Sequence, residues 1–301
     1  MASTKSWIKA ARPRTLPLAL SGIITGSGLA YFYGEFDWLV CLLAIVTATS
    51  LQIFSNFAND YGDFQRGTDN QQRVGPVRTM QGGEISKKEM QTGMFILIVL
   101  CMLFGLWLVY EGTWEKSHTA FFWFLGFGIL SLLAAFFYTA GKRSYGYVGL
   151  GDLSVFLFFG LLPVLGTFFL NAQYLSAEIV LPAISIGFFS TGVLNLNNIR
   201  DIENDRQSGK ITLAVRMGSR NGKIYHAALI IFGLIAAAIF TITQLRSPWQ
   251  WLFLLSAPLL IFDLIRIFQT SELKKLDPFL KRLALSAFAF SVLFCLGFFL
   301  S

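Results

Sequence analysis

The sequence predicts an all-α polytopic membrane protein with nine transmembrane helices, and three observations lead to this fold class. The 301-residue chain is 54% hydrophobic and only 14% charged, whereas an average soluble protein is about 25% charged. Its apolar residues fall into nine runs of the length that a membrane-spanning helix needs, about 20 residues. Its basic residues collect on one side of these runs. Strands of a membrane barrel need only about 10 residues, so a helical bundle follows.

The nine apolar runs follow one another from near the N-terminus to the end of the chain. They cover residues 16–33, 38–57, 94–110, 120–140, 151–170, 179–196, 224–243, 249–268 and 283–300. The first run follows a basic segment, as a signal peptide does, but eight further runs favour an uncleaved first helix. We expect one domain over residues 1–301, in which helices 1–4 are weakly repeated as helices 5–8 and a ninth helix is added.

The positions of Lys and Arg predict the orientation of the bundle. With the N-terminus in the cytoplasm, 22 of the 24 basic residues lie on the inner side, and only Lys116 and Arg246 lie outside. Inner loops of membrane proteins carry such an excess of positive charge. The C-terminus is then outside. The net charge of +7 describes a membrane face, so we expect a lipid bilayer as partner and no nucleic acid.

The two longest inner loops, residues 58–93 and 197–223, each begin with a burst of Asn and Asp residues. In a continuing helix, Asn197, Asp201 and Asp205 form a stripe on one face, and Asn56 shares a face with Asp60. Like charges in a row repel one another, and a bound cation with oxygen ligands, such as Mg²⁺, relieves the repulsion. The alternative is that these residues are helix caps and solvated charges, but ionisable groups at membrane depth are functional by default.

A weak internal repeat with an offset of 138 residues relates the two bursts. It aligns Asn59-x₃-Asp63-x₁₄-Arg78 with Asn197-x₃-Asp201-x₁₄-Arg216. A competing register pairs Asn56 with Asn197, so the register stays open. Two facing acidic patches surrounded by Arg and Lys suit a diphosphate, because Mg²⁺ bridges carboxylates to phosphate oxygens and Arg binds the remaining oxygens.

Several long motifs resemble the UbiA superfamily of intramembrane prenyltransferases. They are ARPRTLPLA (11–19), NDYGDFQRGTD (59–69), RVGPVRTMQGG (73–83), YTAGKRSYGYVGLGD (138–152) and NNIRDIENDRQSGKITLAVRMG (197–218). Within the superfamily, the resemblance is greatest to the branch that prenylates 1,4-dihydroxy-2-naphthoate. In this chain the last acid of the first motif, Asp69, comes two positions later than the superfamily pattern places it.

The resemblance implies a UbiA-like bundle of nine helices around a cavity, in the inner membrane of a bacterium, with its site facing the cytoplasm. The implied reaction is the Mg²⁺-dependent transfer of a polyprenyl group from polyprenyl diphosphate to 1,4-dihydroxy-2-naphthoate. Diphosphate and CO₂ are lost and demethylmenaquinone, a precursor of menaquinone, is formed. Two alternatives stay open: another aromatic hydroxy acid as acceptor (4-hydroxybenzoate or homogentisate), or a membrane transporter that is no enzyme.

The resemblance also implies roles for individual residues. The expected Mg²⁺ ligands are Asp60, Asp63, Asp201 and Asp205, with Asp69 as a further candidate, and the expected cationic partners of the diphosphate are Arg78 and Lys142, followed by Lys210 and Arg216. The amides that complete or orient this shell are Asn56, Asn59 and Asn197. Tyr138 and Tyr145 offer aromatic faces to an allylic cation. Asp152 is a ligand, a base or a helix cap, and Arg14 binds the naphthoate carboxylate or anchors the helix at the membrane surface.

Overall fold

A computed structural model describes residues 2–68, 75–141 and 144–301, and within these ranges the regular structure is helical throughout. The helices are α1 (Thr4–Ala11), α2 (Leu16–Phe32), α3 (Trp38–Arg66), α4 (Lys87–Thr113), α5 (His118–Phe137), α6 (Gly151–Val155), α7 (Leu162–Ala172), α8 (Val180–Arg200), α9 (Ile202–Gln207), α10 (Leu213–Thr243), α11 (Ala257–Gln269) and α12 (Asp277–Phe299). Together with short 3₁₀ and π turns they form, within the described ranges, nine segments long and apolar enough to cross a membrane. The prediction of nine spanning helices is confirmed.

Several helices extend beyond their apolar runs because their ends are polar. Helix α3 has 29 residues, about 43 Å at 1.5 Å per residue, which exceeds the roughly 30 Å of a hydrocarbon core. Helix α4 begins at Lys87, earlier than the predicted 94, because Ser86 and Glu89 form a capping box. The first long loop is therefore shorter than the sequence predicted. Both α3 and α8 end on the same side of the bundle, which we name the motif end.

The first membrane segment is broken into α1 and α2. Arg12 adopts a left-handed conformation with φ 49°, and Pro13 begins a short 3₁₀ turn, so the chain changes direction there. Helix α1 packs on α3, where the ring centroids of Trp7 and Phe57 lie 5.4 Å apart. As a result α1 lies beside the end of α3 that carries the first acidic motif.

Helix α8 is the most deeply buried of the described membrane segments, and α5 is the least buried. A π-helical turn, Phe156–Leu161, joins α6 to α7 and packs on α8. At this contact a Cβ on Gly160 would lie 2.2 Å from the Cα of Gly187, so both helices need glycine to approach each other. The largest buried apolar cluster fills the space among α2, α7, α8, α10 and α12, while the opposite half of the bundle encloses a cavity.

Candidate active site

The two acidic motifs, far apart in sequence, meet at the motif end of the bundle. Helix α3 carries Asp60 and Asp63 on its last turns, and Asp201 stands at the break between α8 and α9. The amide of Asn204 donates a hydrogen bond to the carbonyl of Thr68 at 3.3 Å, so the segment that contains the second motif contacts the segment that follows the first. This contact joins residues 136 positions apart.

Arginine side chains from outside the helix neutralise the first motif. Asp60 is 1% exposed and accepts hydrogen bonds from Arg12, from Arg78 Nη1 at 2.5 Å and from the Thr79 hydroxyl at 3.2 Å. Asp63 accepts from Arg78 Nη2 at 3.4 Å. Two guanidinium groups thus donate to two neighbouring carboxylates, which places Arg donors and anionic oxygen atoms side by side.

In the second motif, an arginine of the motif itself holds the carboxylate. Arg200 donates to both oxygens of Asp201, at 2.9 Å from Nε and 2.6 Å from Nη2. The same side chain donates to Asn197 Oδ1 at 2.8 Å and to Asp277 at the start of α12. Only 1% of the Arg200 side chain is exposed, so a buried charge network ties the second motif to the last helix.

Asp205 stands apart from the other three acids. Lys210 lies 3.3 Å from its Oδ1, whereas its buried Oδ2 has no hydrogen-bond partner among the described residues. Burial raises the pKa of Asp205 to about 6, although Lys210 opposes this shift. For Lys210, burial acts to lower the pKa, but the carboxylates of Asp205, Asp63 and Asp201 outweigh it and raise the pKa. Asp205 is therefore the motif acid that gains most from a further cation.

Tyr147 connects the two motifs. Its hydroxyl donates to Asp63 Oδ1 at 2.9 Å and lies 2.5 Å from the Thr68 hydroxyl. Its carbonyl accepts from the backbone of Ile211 at 2.9 Å, and Lys210 Nζ lies 5.9 Å from the centre of its ring. Burial raises the pKa of the Tyr147 hydroxyl, and the nearby carboxylate of Asp63 adds to the shift, so the phenol is a donor that fixes Asp63.

The three predicted asparagines serve different neighbours. Asn56 donates to the carbonyl of Ala11 at 2.9 Å and to the Thr15 hydroxyl at 3.0 Å, which holds the joint between α1 and α2. Asn59 accepts from the Thr139 hydroxyl at 3.1 Å. Asn197 contacts Arg200, as described above. The structure thus places Asn197 within the charge network and Asn56 at the joint that carries Arg12.

The structure describes two of four further predicted residues, Arg14 and Arg216. Lys142 and Asp69 lie outside the described residues. Arg14 is exposed on the turn that begins at Pro13, and Arg216 donates to the carbonyl of Val148 at 2.9 Å, which supports the loop that carries Tyr147.

Sequence reasoning missed several residues of this site, among them Arg12, Thr79, Arg200 and Asp277. Arg12 and Arg200 lie within motifs that resemble the UbiA superfamily, so their positions carried a partial signal. Asp277 had no such signal, since its contact with Arg200 spans 77 residues.

An apolar cavity of about 350 Å³ begins beside the motif end and extends between α2, α3, α4, α5 and α7. Polar side chains, among them Asn59, Tyr138 and Tyr145, line the end near the motifs. The rings of the two tyrosines meet edge to face with centroids 5.5 Å apart, and the Tyr145 hydroxyl donates to the carbonyl of Ala134 at 2.7 Å. A long apolar molecule with an anionic head group matches this combination of cavity and charge.

Asp152 lies buried at the start of α6, close to this polar end. In the part of the chain that the structure describes, its Oδ1 has no hydrogen-bond partner. Burial of Tyr138 raises the pKa of its hydroxyl, and the carboxylate of Asp152 adds to this shift. The Tyr138 hydroxyl packs so closely on α6 that a Cβ on Gly151 would lie 2.8 Å from it. A buried carboxylate oxygen without a partner costs free energy, so Asp152 is suited to accept a hydrogen bond from a bound molecule.

The donor set fits Mg²⁺, although the carboxylates are not gathered around one point. Among residues 2–68, 75–141 and 144–301, no group of three Asp, Glu, His or Cys side chains is arranged to hold a metal. Arg78 and Arg200 occupy oxygens of three of the motif carboxylates. Four carboxylates with the unpartnered Asp205 Oδ2 and Asn204 Oδ1 nevertheless form an all-oxygen set, which Mg²⁺ prefers.

Comparison with known proteins agrees with this architecture. The chain is 47% identical over 300 residues to 1,4-dihydroxy-2-naphthoate octaprenyltransferase of Escherichia coli, covering 99% of this chain and 96% of that protein. Its fold is similar to the apo structure of a UbiA homolog from Aeropyrum pernix, with a TM-score of 0.70, 15% identity and coverage of 95% of this chain and 97% of that one.

A UbiA homolog from Archaeoglobus fulgidus bound to DMAPP and Mg²⁺ has the same fold, with a TM-score of 0.63, 16% identity and coverage of 96% of this chain and 99% of that one. The sequence pattern of the UbiA prenyltransferase family matches residues 19–298. The resemblance inferred from the motifs is confirmed: the chain belongs to the UbiA prenyltransferase family.

Proposed function

We propose that this protein transfers a polyprenyl group from polyprenyl diphosphate to 1,4-dihydroxy-2-naphthoate, with Mg²⁺ as the required metal. The C–O bond to the diphosphate breaks, a C–C bond to the naphthalene ring forms, and the carboxylate leaves as CO₂. The product is demethylmenaquinone at its quinol level, and diphosphate is released. One observation carries the proposal: two Asp motifs meet at the mouth of an apolar cavity in a chain that is 47% identical to a protein named for this reaction.

The diphosphate binds at the motif end in this proposal. Asp60, Asp63, Asp201 and Asp205 would hold Mg²⁺, which supplies positive charge to the departing diphosphate. Arg78 and Arg12 exchange their carboxylate partners for phosphate oxygens, because guanidinium groups bind both kinds of oxygen in pairs. Lys210 contributes a third cation from the second motif, and Lys142 a fourth.

The acceptor ring binds at the polar end of the cavity. Tyr138 and Tyr145 present aromatic faces that stabilise an allylic cation by about 2 kcal/mol or more in a dry site. Asp152, with its unpartnered oxygen, accepts a hydrogen bond from a ring hydroxyl and so raises the electron density of the ring. Arg14, on the exposed turn before α2, meets the naphthoate carboxylate as it enters.

The protein is an integral membrane protein, and we propose that its motif end faces the cytoplasm of a bacterial inner membrane. The excess of Lys and Arg on that side supports this orientation. Cysteines introduced at positions 70 and 114 test it: a membrane-impermeant thiol reagent should reach 114 from outside intact cells, and 70 only after the membrane is opened. Labelling of both positions from the same side would reject the orientation.

The acceptor is tested with the purified protein, Mg²⁺ and geranyl diphosphate, together with a panel of aromatic hydroxy acids and detection by mass spectrometry. We expect dihydroxynaphthoate to be prenylated with release of CO₂, and no product in the presence of excess EDTA. If 4-hydroxybenzoate is used at least as well and keeps its carboxylate, the acceptor assignment is wrong. If no acceptor reacts while prenyl diphosphate still binds, the enzyme assignment itself is wrong.

A further inference from the structure

A glutamine stands in the wall of the cavity about two helical turns from the first acidic motif. Gln52 lies on α3 and lines the cavity. It comes eight residues before Asp60, which corresponds to about 12 Å along the helix axis. Gln52 is 7% exposed, and the lining residues next to it on α3, Ala48 and Leu51, are apolar. A polar group in such surroundings costs free energy unless hydrogen bonds satisfy it.

A chain of hydrogen bonds fixes which end of the Gln52 amide is free. The carbonyl of Ala11 can only accept, so the atom of Asn56 that meets it, at 2.9 Å, is the amide nitrogen Nδ2. Asn56 Oδ1 therefore accepts a hydrogen bond from Gln52 Nε2, at 3.2 Å. The same nitrogen donates to the Thr15 hydroxyl at 3.2 Å. Both hydrogen atoms of Gln52 Nε2 are used, and Oε1 is the atom left for another partner.

Gln52 Oε1 is a buried acceptor that lacks a donor. Among residues 2–68, 75–141 and 144–301, no group donates a hydrogen bond to it. Its nitrogen is held at the joint between α1 and α2, and the residue lines the cavity, so Oε1 is the polar atom of Gln52 that a molecule in the cavity can reach. Together with Asp152 Oδ1 near Tyr138, the site thus contains two acceptor oxygens that suit hydroxyl groups of a bound molecule.

A dihydroxynaphthoate offers one hydroxyl group to each of these oxygens. In the proposed reaction the bond from the ring to the carboxylate breaks, and its electron pair restores the aromatic ring once the prenyl group has bonded there. The carbon that carries the carboxylate must therefore face the diphosphate at the motif end. The adjacent 1-hydroxyl lies on the same side, near Asp152. The 4-hydroxyl is on the opposite edge of the ring and points away from the motif end, toward Gln52.

We infer that Gln52 Oε1 accepts a hydrogen bond from the 4-hydroxyl of the naphthoate, and that this bond selects a ring with a second hydroxyl group. The inference rests on the proposed function. A ring without the 4-hydroxyl leaves the oxygen of Gln52 buried and unpaired in the complex, which is unfavourable. A site built to bind a hydroxyl group rejects the analogue that lacks it. 4-Hydroxybenzoate, with a single hydroxyl group, cannot pair with both Gln52 and Asp152.

The first test compares two ligands and needs no variant. The wild-type protein in detergent, with Mg²⁺ and inorganic diphosphate, is studied by isothermal titration with 1,4-dihydroxy-2-naphthoate and with 1-hydroxy-2-naphthoate. Oxygen is excluded, because the dihydroxy ring is easily oxidised. We expect the analogue without the 4-hydroxyl to bind about tenfold more weakly or worse. Equal affinities for the two ligands would overturn the inference.

The second test is Gln52→Met, which keeps the approximate size of the side chain and removes its polar atoms. We expect the affinity for 1,4-dihydroxy-2-naphthoate to fall by about tenfold and the affinity for 1-hydroxy-2-naphthoate to stay within about twofold. Thr15→Val is the matched control, because it removes one partner of Gln52 Nε2 and Thr15 is not part of the cavity wall. It should keep the tenfold preference for the dihydroxy ring.

An equal loss for both ligands in Gln52→Met would mean that Gln52 has a structural role only, and would reject the inference. Loss of the preference in Thr15→Val would assign the preference to the joint between α1 and α2 and reject it as well. If the wild-type protein neither binds nor prenylates dihydroxynaphthoate, the proposed function has failed instead. If Gln52→Met does not fold, the comparison of the two ligands on the wild-type protein still decides.

Discussion

The two acidic motifs carry the same type of carboxylate but obtain their counter-charge in different ways. Asp60 in the first motif is held by Arg12 and Arg78, which belong to the turn before α2 and to the loop before α4. Asp201 in the second motif is held by its sequence neighbour Arg200, which Asp277 fixes in turn. Loop cations can move to a ligand, whereas a cation locked between helices cannot.

The two acidic motifs are therefore expected to have different roles in the site. In the proposed reaction the first motif exchanges partners when a diphosphate enters, because the Arg12 and Arg78 side chains are 18% and 12% exposed and lie on connecting segments. The second motif is expected to be rigid, because the Arg200 side chain is 1% exposed and α8 is the most buried described membrane segment. Substitutions in the two motifs are therefore expected to separate a loss of turnover from a loss of stability.

The largest effect is expected from removing one anionic ligand in either motif. Asp63→Asn and Asp201→Asn should each lower turnover by about 10² or more, since one lost stabiliser of transition-state charge costs about 3 kcal/mol. The double variant should lose much less than the product of the two effects, because residues that act as a unit are not additive. Steady-state kinetics at saturating donor measures all three variants.

Glu203→Gln is the control for this series, since Glu203 is an exposed acid on α9 that pairs with Arg206 at the surface. It should leave turnover within about twofold. Near-normal turnover of Asp201→Asn at low Mg²⁺ would show that the second motif is structural and that the two motifs do not share a ligand.

The second effect concerns stability. Arg200→Gln leaves Asp201 and Asp277 without their shared cation, and breaking a buried ion pair from one side costs about 3 kcal/mol or more. We expect a clear fall in the melting temperature of the detergent-solubilised protein without ligands. Arg206→Gln, an exposed arginine with a partner at 3.9 Å, should leave it unchanged. Equal melting temperatures for both variants would mean that the second motif is no more rigid than the first.

The sequence predicted the membrane segments well because hydrophobic runs report which residues face lipid or core. It placed the polar helix ends less well. Asp60 and Asp63 were expected at the start of a long loop, yet α3 continues to Arg66. A polar turn of helix beyond the membrane is stabilised by capping and by contacts such as that of Tyr147 with Asp63, and hydropathy does not record either.

The candidate site could be predicted as a set of residue types but not as a set of contacts. The motif spacing predicted the acids, and the structure brings the two motif segments together. The spacing did not predict which cation pairs with which acid. Arg12 reaches Asp60 because the chain adopts a left-handed conformation at this residue and turns, while Arg14, two positions later, is exposed. Such pairings depend on the path of the backbone, and motif spacing in a single sequence does not reveal that path.

The third effect tests this pairing directly. Arg12→Gln should raise the KM for the prenyl diphosphate by about tenfold, because a hydrogen bond to a charged group contributes about 1.5–3 kcal/mol, and should leave kcat within about threefold. Arg14→Gln should leave the donor KM unchanged and raise the KM for the naphthoate. If the two variants exchange these effects, Arg14 rather than Arg12 is the loop cation of the first motif.

The smallest effect is a pH dependence that belongs to the second motif alone. Burial raises the pKa of Asp205 to about 6, so this carboxyl holds a proton below that pH and must release it before Mg²⁺ binds. With one competing proton, the Mg²⁺ concentration for half-saturation should rise by about fourfold from pH 7 to pH 5.5. The measurement is isothermal titration of the protein with Mg²⁺ in the presence of inorganic diphosphate, with the titration of diphosphate itself subtracted.

Asp205→Asn should bind Mg²⁺ more weakly at all pH values and lose this dependence, because the amide cannot hold the proton. Retention of the same fourfold change in Asp205→Asn would assign the proton to another group. A flat profile in the wild-type protein would mean that Mg²⁺ does not meet Asp205, and that Lys210 is the only cation this carboxylate binds.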